Sequence, residues 1–114
     1  MHIDDYHFGC MVVDGKAYRE DLILLPDGVR EDWWRERGHS LSTADLEDVF
    51  AAKPEVLVVG TGVHGVARVP DETRRAVEEA GIEIIVERTA EAARRYNTLA
   101  ANGRRVAGAF HLTC

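Results

Sequence analysis

Gly60, Gly62 and Gly65 follow the apolar run Val56-Leu57-Val58-Val59 in the order G-x-G-x-x-G. That spacing cradles a pyrophosphate when the loop opens directly into a helix whose first free N–H groups face the phosphates. Here Val66-Ala67-Arg68-Val69 intervenes before Pro70, the first residue suited to start a helix. The spacing fits a dinucleotide and the context does not, so no cofactor is implied. The stretch reads as a buried strand, a glycine turn and a linker, with Gly60-Thr61-Gly62 kept as part of a small-ligand pocket.

His111, Thr113 and Cys114 close the sequence with an imidazole, a hydroxyl and a thiol. A Cys/His pair supports nucleophilic chemistry only where the two touch and the thiol is activated. In an extended strand residues 111 and 114 point to opposite faces, so no catalytic residue is assigned. Trp33-Trp34-Arg35 is a third unusual group. On a strand one indole would enter the core and the other face solvent, where an exposed aromatic beside charges suits a protein partner. No metal site is expected, because two cysteines without C-x-x-C spacing and five histidines without H-x-x-x-H spacing make no ligand set.

The elements that must position these groups divide near residue 40. Before it, Phe8 to Val13 and Lys16 to Tyr18 flank Asp14-Gly15, a hairpin signal. Leu22 to Leu25 is an apolar strand stopped by Pro26-Asp27-Gly28, and Val29 to Arg35 reads as a further strand. After it, Ser42-Thr43-Ala44-Asp45 resembles a capped helix start, with Lys53-Pro54 ending that helix. Strands at Val56 to Val59, Ile82 to Val86 and Val106 to Leu112 alternate with helices starting at Pro70-Asp71 and Thr89. Short connections make these strands parallel with right-handed crossovers. Their C-terminal ends then share one edge, where open α/β sheets bind ligands. Gly60, Thr61, Gly62, Arg88, Thr89, His111, Thr113 and Cys114 form the candidate ligand set there.

Charge narrows the partners. The net charge is −6, with 12 acids against 5 bases in residues 1–50 and 8 against 9 in residues 51–114. Such a surface repels nucleic acid and anionic membrane. No apolar run is long enough to span a bilayer, and MHIDDYHFG has neither the basic start nor the apolar stretch of a targeting segment. A cytoplasmic protein is expected, and 12 arginines against 2 lysines point to a prokaryotic source.

The stretches LLPDGVREDWWRERGHS, VLVVGTG and VARVPDETRRAVEEAGIEIIVERTAEAARRYNTLAANGRRVAGAFHLTC resemble the adipogenesis-associated Mth domain-containing family, with mitochondrial complex I assembly factor 3 as a more distant relative. The likeness rests on Trp33 and Arg35 after a P-x-G turn, on Gly60, Gly62, Val69 and Pro70, on T-x-x-A-x-x-x-Y-N-x-L from Thr89 to Leu99, and on His111, Thr113 and Cys114. Gly65 lies outside the shared pattern. The resemblance implies one compact Mth-like α/β domain over residues 1–114, with a mixed central sheet and an N-terminal β-hairpin layer. It implies no reaction. The expected function is a non-enzymatic protein-interaction or assembly-factor-like module. The alternative is a small-ligand or thiol-dependent enzyme site at the strand C-terminal edge.

Overall fold

Leu22–Leu25 and Val56–Thr61 are buried at every position, so their side chains need cover on both faces of one sheet. In a computed structural model describing all 114 residues, β4 (Leu22–Leu25), β5 (Gly28–Arg30), β6 (Val56–Thr61), β7 (Glu83–Glu87) and β8 (Val106–His111) supply that sheet. Its order is β5-β4-β8-β6-β7. β6 pairs in parallel with β7 and β8, while β4 runs antiparallel to β8 and β5.

Alternation along the strands then creates two cores. Leu22, Leu24, Val56, Val58 and Phe110 face α3 (Thr89–Ala101) and a second, three-stranded antiparallel sheet. That sheet comprises β1 (Ile3–His7), β2 (Cys10–Val13) and β3 (Lys16–Tyr18), and it contributes Ile3, Met11 and Val13. Ile23, Leu25, Leu57, Val59 and Ala109 face the opposite way, against Val49 of α1 (Glu47–Ala52) and Val77 of α2 (Asp71–Glu79). The β6-α2-β7 and β7-α3-β8 crossovers run in opposite directions across the sheet, so equal handedness puts their helices on opposite faces.

The hairpin lies at Asp14-Gly15, both at positive φ (49° and 81°), as a tight β turn requires. Two local expectations are corrected, and one strand, β1, has no counterpart in the sequence reading. The strand expected over Val29 to Arg35 ends at Arg30, and Asp32 takes φ 54°, which breaks extended pairing before the tryptophans. The Ser42 hydroxyl makes no cap bond, and only the Asp45 half of the expected cap forms. A 3-10 turn (Ala44–Leu46) precedes α1, and the Asp45 carboxylate accepts the N–H groups of Ser42 and Glu36. β1 carries no apolar alternation in IDDYH and is held by pairing with β2. No helix is long and apolar enough to cross a membrane.

Candidate functional site

The antiparallel register Leu22↔Phe110 extends one step to set Asp21 opposite His111 at the end of the sheet. Asp21 Oδ2 accepts the Arg35 Nη1–H at 2.7 Å and the His111 Nδ1–H at 2.7 Å, and Oδ1 accepts the Leu112 N–H at 2.8 Å. A carboxylate can only accept, which assigns the His111 proton to Nδ1. Arg35 Nη2, 3.1 Å from that nitrogen, lies beside this bond. His111 Nε2 then faces Thr113 Oγ1 at 3.4 Å, and the His39 ring stands edge-on at 5.5 Å between centroids. Burial pushes the Asp21 carboxyl up. Hydrogen bonds from His111, Leu112 N–H and Arg35 outweigh it and hold the group below the usual carboxylate range.

The same cluster fixes the tryptophan loop. Arg35 donates from Nε to the Gly38 carbonyl at 2.9 Å and lies over the Trp33 ring, 5.1 Å from its centroid. Trp33 donates its indole N–H to the Asp45 carbonyl at 3.0 Å and its backbone N–H to the Asp21 carbonyl at 2.8 Å. Trp33 is thus half-buried, while Trp34, its neighbour, is 79% exposed. An open cleft of about 210 Å³ lies on one side of the pair, lined by Arg19, Glu20, Asp32 and Thr113 among others. This is below the usual range for a pocket that encloses a small molecule. On the other side lie Glu36, Asp45, Glu47 and Asp48.

The glycine loop packs against residues 112–114. Gly62 (φ 100°) lies so close to the Cys114 backbone that a Cβ there would overlap it. Val63 N–H donates to the Thr113 carbonyl at 2.7 Å and Val66 N–H to the Cys114 carbonyl at 3.1 Å. Thr89 ties the remaining piece. Its hydroxyl donates to the His111 carbonyl at 2.6 Å and accepts the Gly62 N–H at 2.8 Å. Gly60 approaches Thr89 so closely that a Cβ would sit 2.8 Å from Oγ1. The Gly62, Val63 and Val66 N–H groups are therefore bonded within the chain and not free for a phosphate. α2 begins only at Asp71, with Asp71 and Glu72 in its first turn, an unfavourable end for an anion.

Gly60, Thr61, Gly62, Thr89, His111, Thr113 and Cys114 thus meet at one sheet edge, whereas the Arg88 side chain lies beside Gly65. The space bounded by Trp33, Gly60, Thr61, Ala109 and His111 is about 10 Å³, room for no more than about one water. Neither His111 ring nitrogen has Cys114 as a partner; Cys114 is exposed and Cys10 buried, both as free thiols. No three His, Cys, Asp or Glu side chains converge as metal ligands. The tryptophan group and the ligand group, separate in the sequence, meet through Arg35 and His111. The residue that joins them, Asp21, is the one the sequence reading missed. Its signal is the antiparallel register of β4 on β8, which places 21 across from 111.

An α/β domain with this mixed sheet and added β layer is of the Mth938-like class. The structure is similar to a Mth938-like domain from Bordetella pertussis, with a TM-score of 0.78 and 25% identity over 97% of this chain and 85% of that one. It is also similar to an outer membrane protein from Bartonella henselae, with a TM-score of 0.83 and 29% identity over 98% and 94% of the two chains. By sequence, the chain belongs to the family described as protein of unknown function (DUF498/DUF598), which matches residues 3–111. It is 30% identical over 107 residues to the human NADH dehydrogenase [ubiquinone] 1 alpha subcomplex assembly factor 3, covering 91% of this chain and 56% of that protein. The chain therefore spans little more than half of that relative's length.

Proposed function

We propose that this chain is a non-enzymatic protein-interaction module of the assembly-factor kind, docking through Trp34. The observation that carries the reading is a 79% exposed indole on a loop pinned by its two neighbours, Trp33 and Arg35. A large aromatic carried on a loop that its neighbours already fix costs little backbone entropy on burial, which suits an interface anchor. The likeness to a human assembly factor supports a protein partner over a substrate. The Asp21–His111–Arg35 cluster is then a lock for the loop. An oriented imidazole could take a proton at Nε2, but the enclosed space that His111 lines holds no more than about one water.

A cytoplasmic place of work belongs to this reading, supported by two free thiols. The similarity to an outer membrane protein makes cell fractionation the check. The function is tested by affinity capture from cells of the source organism with wild type and Trp34→Ala, beside a thermal-shift screen of nucleotides and metabolites. A partner captured by wild type and lost with Trp34→Ala is expected. Equal capture by both, or a metabolite that raises Tm while no partner is captured, would overturn it.

A further inference from the structure

β7 is an edge of the five-stranded sheet, and its outer side is unpaired. Which backbone groups it exposes follows from the ladder. Glu83 N–H donates to the Glu55 carbonyl, and the Glu87 carbonyl accepts from the Thr61 hydroxyl, so Glu83, Ile85 and Glu87 direct their backbone groups at β6. Ile84 and Val86 must direct theirs outward. Two N–H and two C=O groups thus line the free edge, and no hydrogen bond inside the chain uses them there. Where β6 and β8 are buried throughout, Ile84, Ile85, Val86 and Glu87 are half-buried and Glu83 is exposed.

Edges that proteins mean to close are short or carry Pro, a bulge or charged side chains along the strand. The opposite edge fits that description, since β5 is three residues long, contains Gly28 and ends at Arg30. β7 reads Glu-Ile-Ile-Val-Glu, with five consecutive register pairs, no Pro and no bulge, and its charges stand only at its two ends. We infer that β7 is a docking edge for an extended segment of a partner protein that carries Lys or Arg at both ends. This surface is separate from the Trp34 loop.

The charges select that occupant. Glu83 and Glu87 bracket the strand. Glu83 shares a single arginine, Arg104, with Glu55, at 3.7 and 3.6 Å, and Glu87 has no ion pair. Glu87 Oε2 is moreover covered by the chain and has no hydrogen-bond donor there. A second copy of this chain, paired antiparallel about Ile85, would set Glu83 against Glu87 at both ends, and directly opposed like charges destabilise a pair. A basic residue at each end of an added strand reverses that sign. Apolar or β-branched residues between them would continue the partly covered surface of Ile84 and Val86.

The test uses the pentapeptide acetyl-Lys-Val-Thr-Val-Lys-amide, titrated into the 15N-labelled chain. Binding is expected to shift the Ile84 and Val86 amides most, and to weaken about tenfold when both peptide lysines are replaced by glutamate. Val86→Pro deletes an outward N–H while sparing the bonds to β6, and should abolish binding. If that variant fails to fold, a peptide N-methylated at the valine amides, unable to complete the ladder, must lose binding to wild type. Peptide binding unaffected by lysine replacement or by N-methylation, shifts confined to other residues, or self-association of the chain through β7 would each overturn the inference. Trp34→Ala should bind the peptide as wild type does, so failure here leaves the Trp34 reading standing, and failure of Trp34 capture leaves this one.

Discussion

The Asp21 carboxylate accepts the His111 Nδ1–H at 2.7 Å across 90 residues of sequence, and the same oxygen accepts Arg35. The Arg35 and His111 side chains are each only 8% exposed and that of Asp21 16%. Asp21→Asn leaves a buried guanidinium without its counter-charge and should cost about 3 kcal/mol in urea unfolding. Arg35→Met should cost less, because His111 and Leu112 N–H still satisfy Asp21. The double variant should recover part of the loss, with a coupling of at least about 1 kcal/mol. Additive costs would mean that the three groups do not act as one lock.

Stability should fall at both ends of the pH range, for separate reasons. The Asp21 carboxyl is held below its unfolded value of about 3.9, so its contribution is complete above that pH and disappears as pH falls through the lowered folded value. Wild type and Asp21→Asn should therefore converge in stability below about pH 4. Burial, with a smaller push from Asp14, raises the Tyr96 phenol to about 12. Its contribution is full below the unfolded value of about 10 and is lost from there to the folded one. Tyr96→Phe should remove that alkaline decline, read as Tm against pH. A Tyr96→Phe curve that still falls over this range as wild type does would contradict the assignment.

The parts legible in the sequence are those whose signal is local. Leu22–Leu25 and Val56–Val59 are apolar at every position because both sheet faces are covered, and Asp14-Gly15 names its own turn. β1 was illegible because only one of its five residues, Ile3, is buried, and its strand form comes from pairing with β2. The Val29 to Arg35 strand was misread because nothing in Glu31-Asp32 announces a positive φ. The site is less legible for a related reason. Gly60 and Gly62 suggest room for a ligand, yet their missing side chains make room for Thr89 and for the Cys114 backbone. Asp21 stands out only once the register of β4 on β8 is known.

Adjacent tryptophans should behave oppositely. Trp33→Ala removes a half-buried ring, an indole bond to the Asp45 carbonyl and the surface on which Arg35 stacks, at a cost of about 2 kcal/mol. Trp34→Ala should change stability by less than about 0.5 kcal/mol, since its ring meets mainly water. The indole N–H resonances offer an independent reading by hydrogen exchange. Trp33 should be protected and Trp34 should exchange freely. Equal exchange, or a costly Trp34→Ala, would show that the second ring packs against the chain and is no free anchor.

Thr89 is the pin between the glycine loop, α3 and the end of β8. Its fully buried hydroxyl donates to His111 and accepts from Gly62, bonds that no other side chain duplicates. Thr89→Val keeps the volume and removes both, leaving a buried N–H and C=O with a combined cost of about 2–4 kcal/mol. Thr89→Ser retains the oxygen and should lose only about 1 kcal/mol for the methyl group. Gly62→Ala attacks the same joint from the other side, because its Cβ would displace the Cys114 backbone at a φ that alanine adopts only under strain. All three are read by urea unfolding and by amide shifts of residues 111–114. Thr89→Val and Gly62→Ala should move those amides alike, whereas Thr89→Ser should leave them in place. If Thr89→Val proves as mild as Thr89→Ser, the hydroxyl is not the pin, and van der Waals contact at Gly60 carries the joint instead.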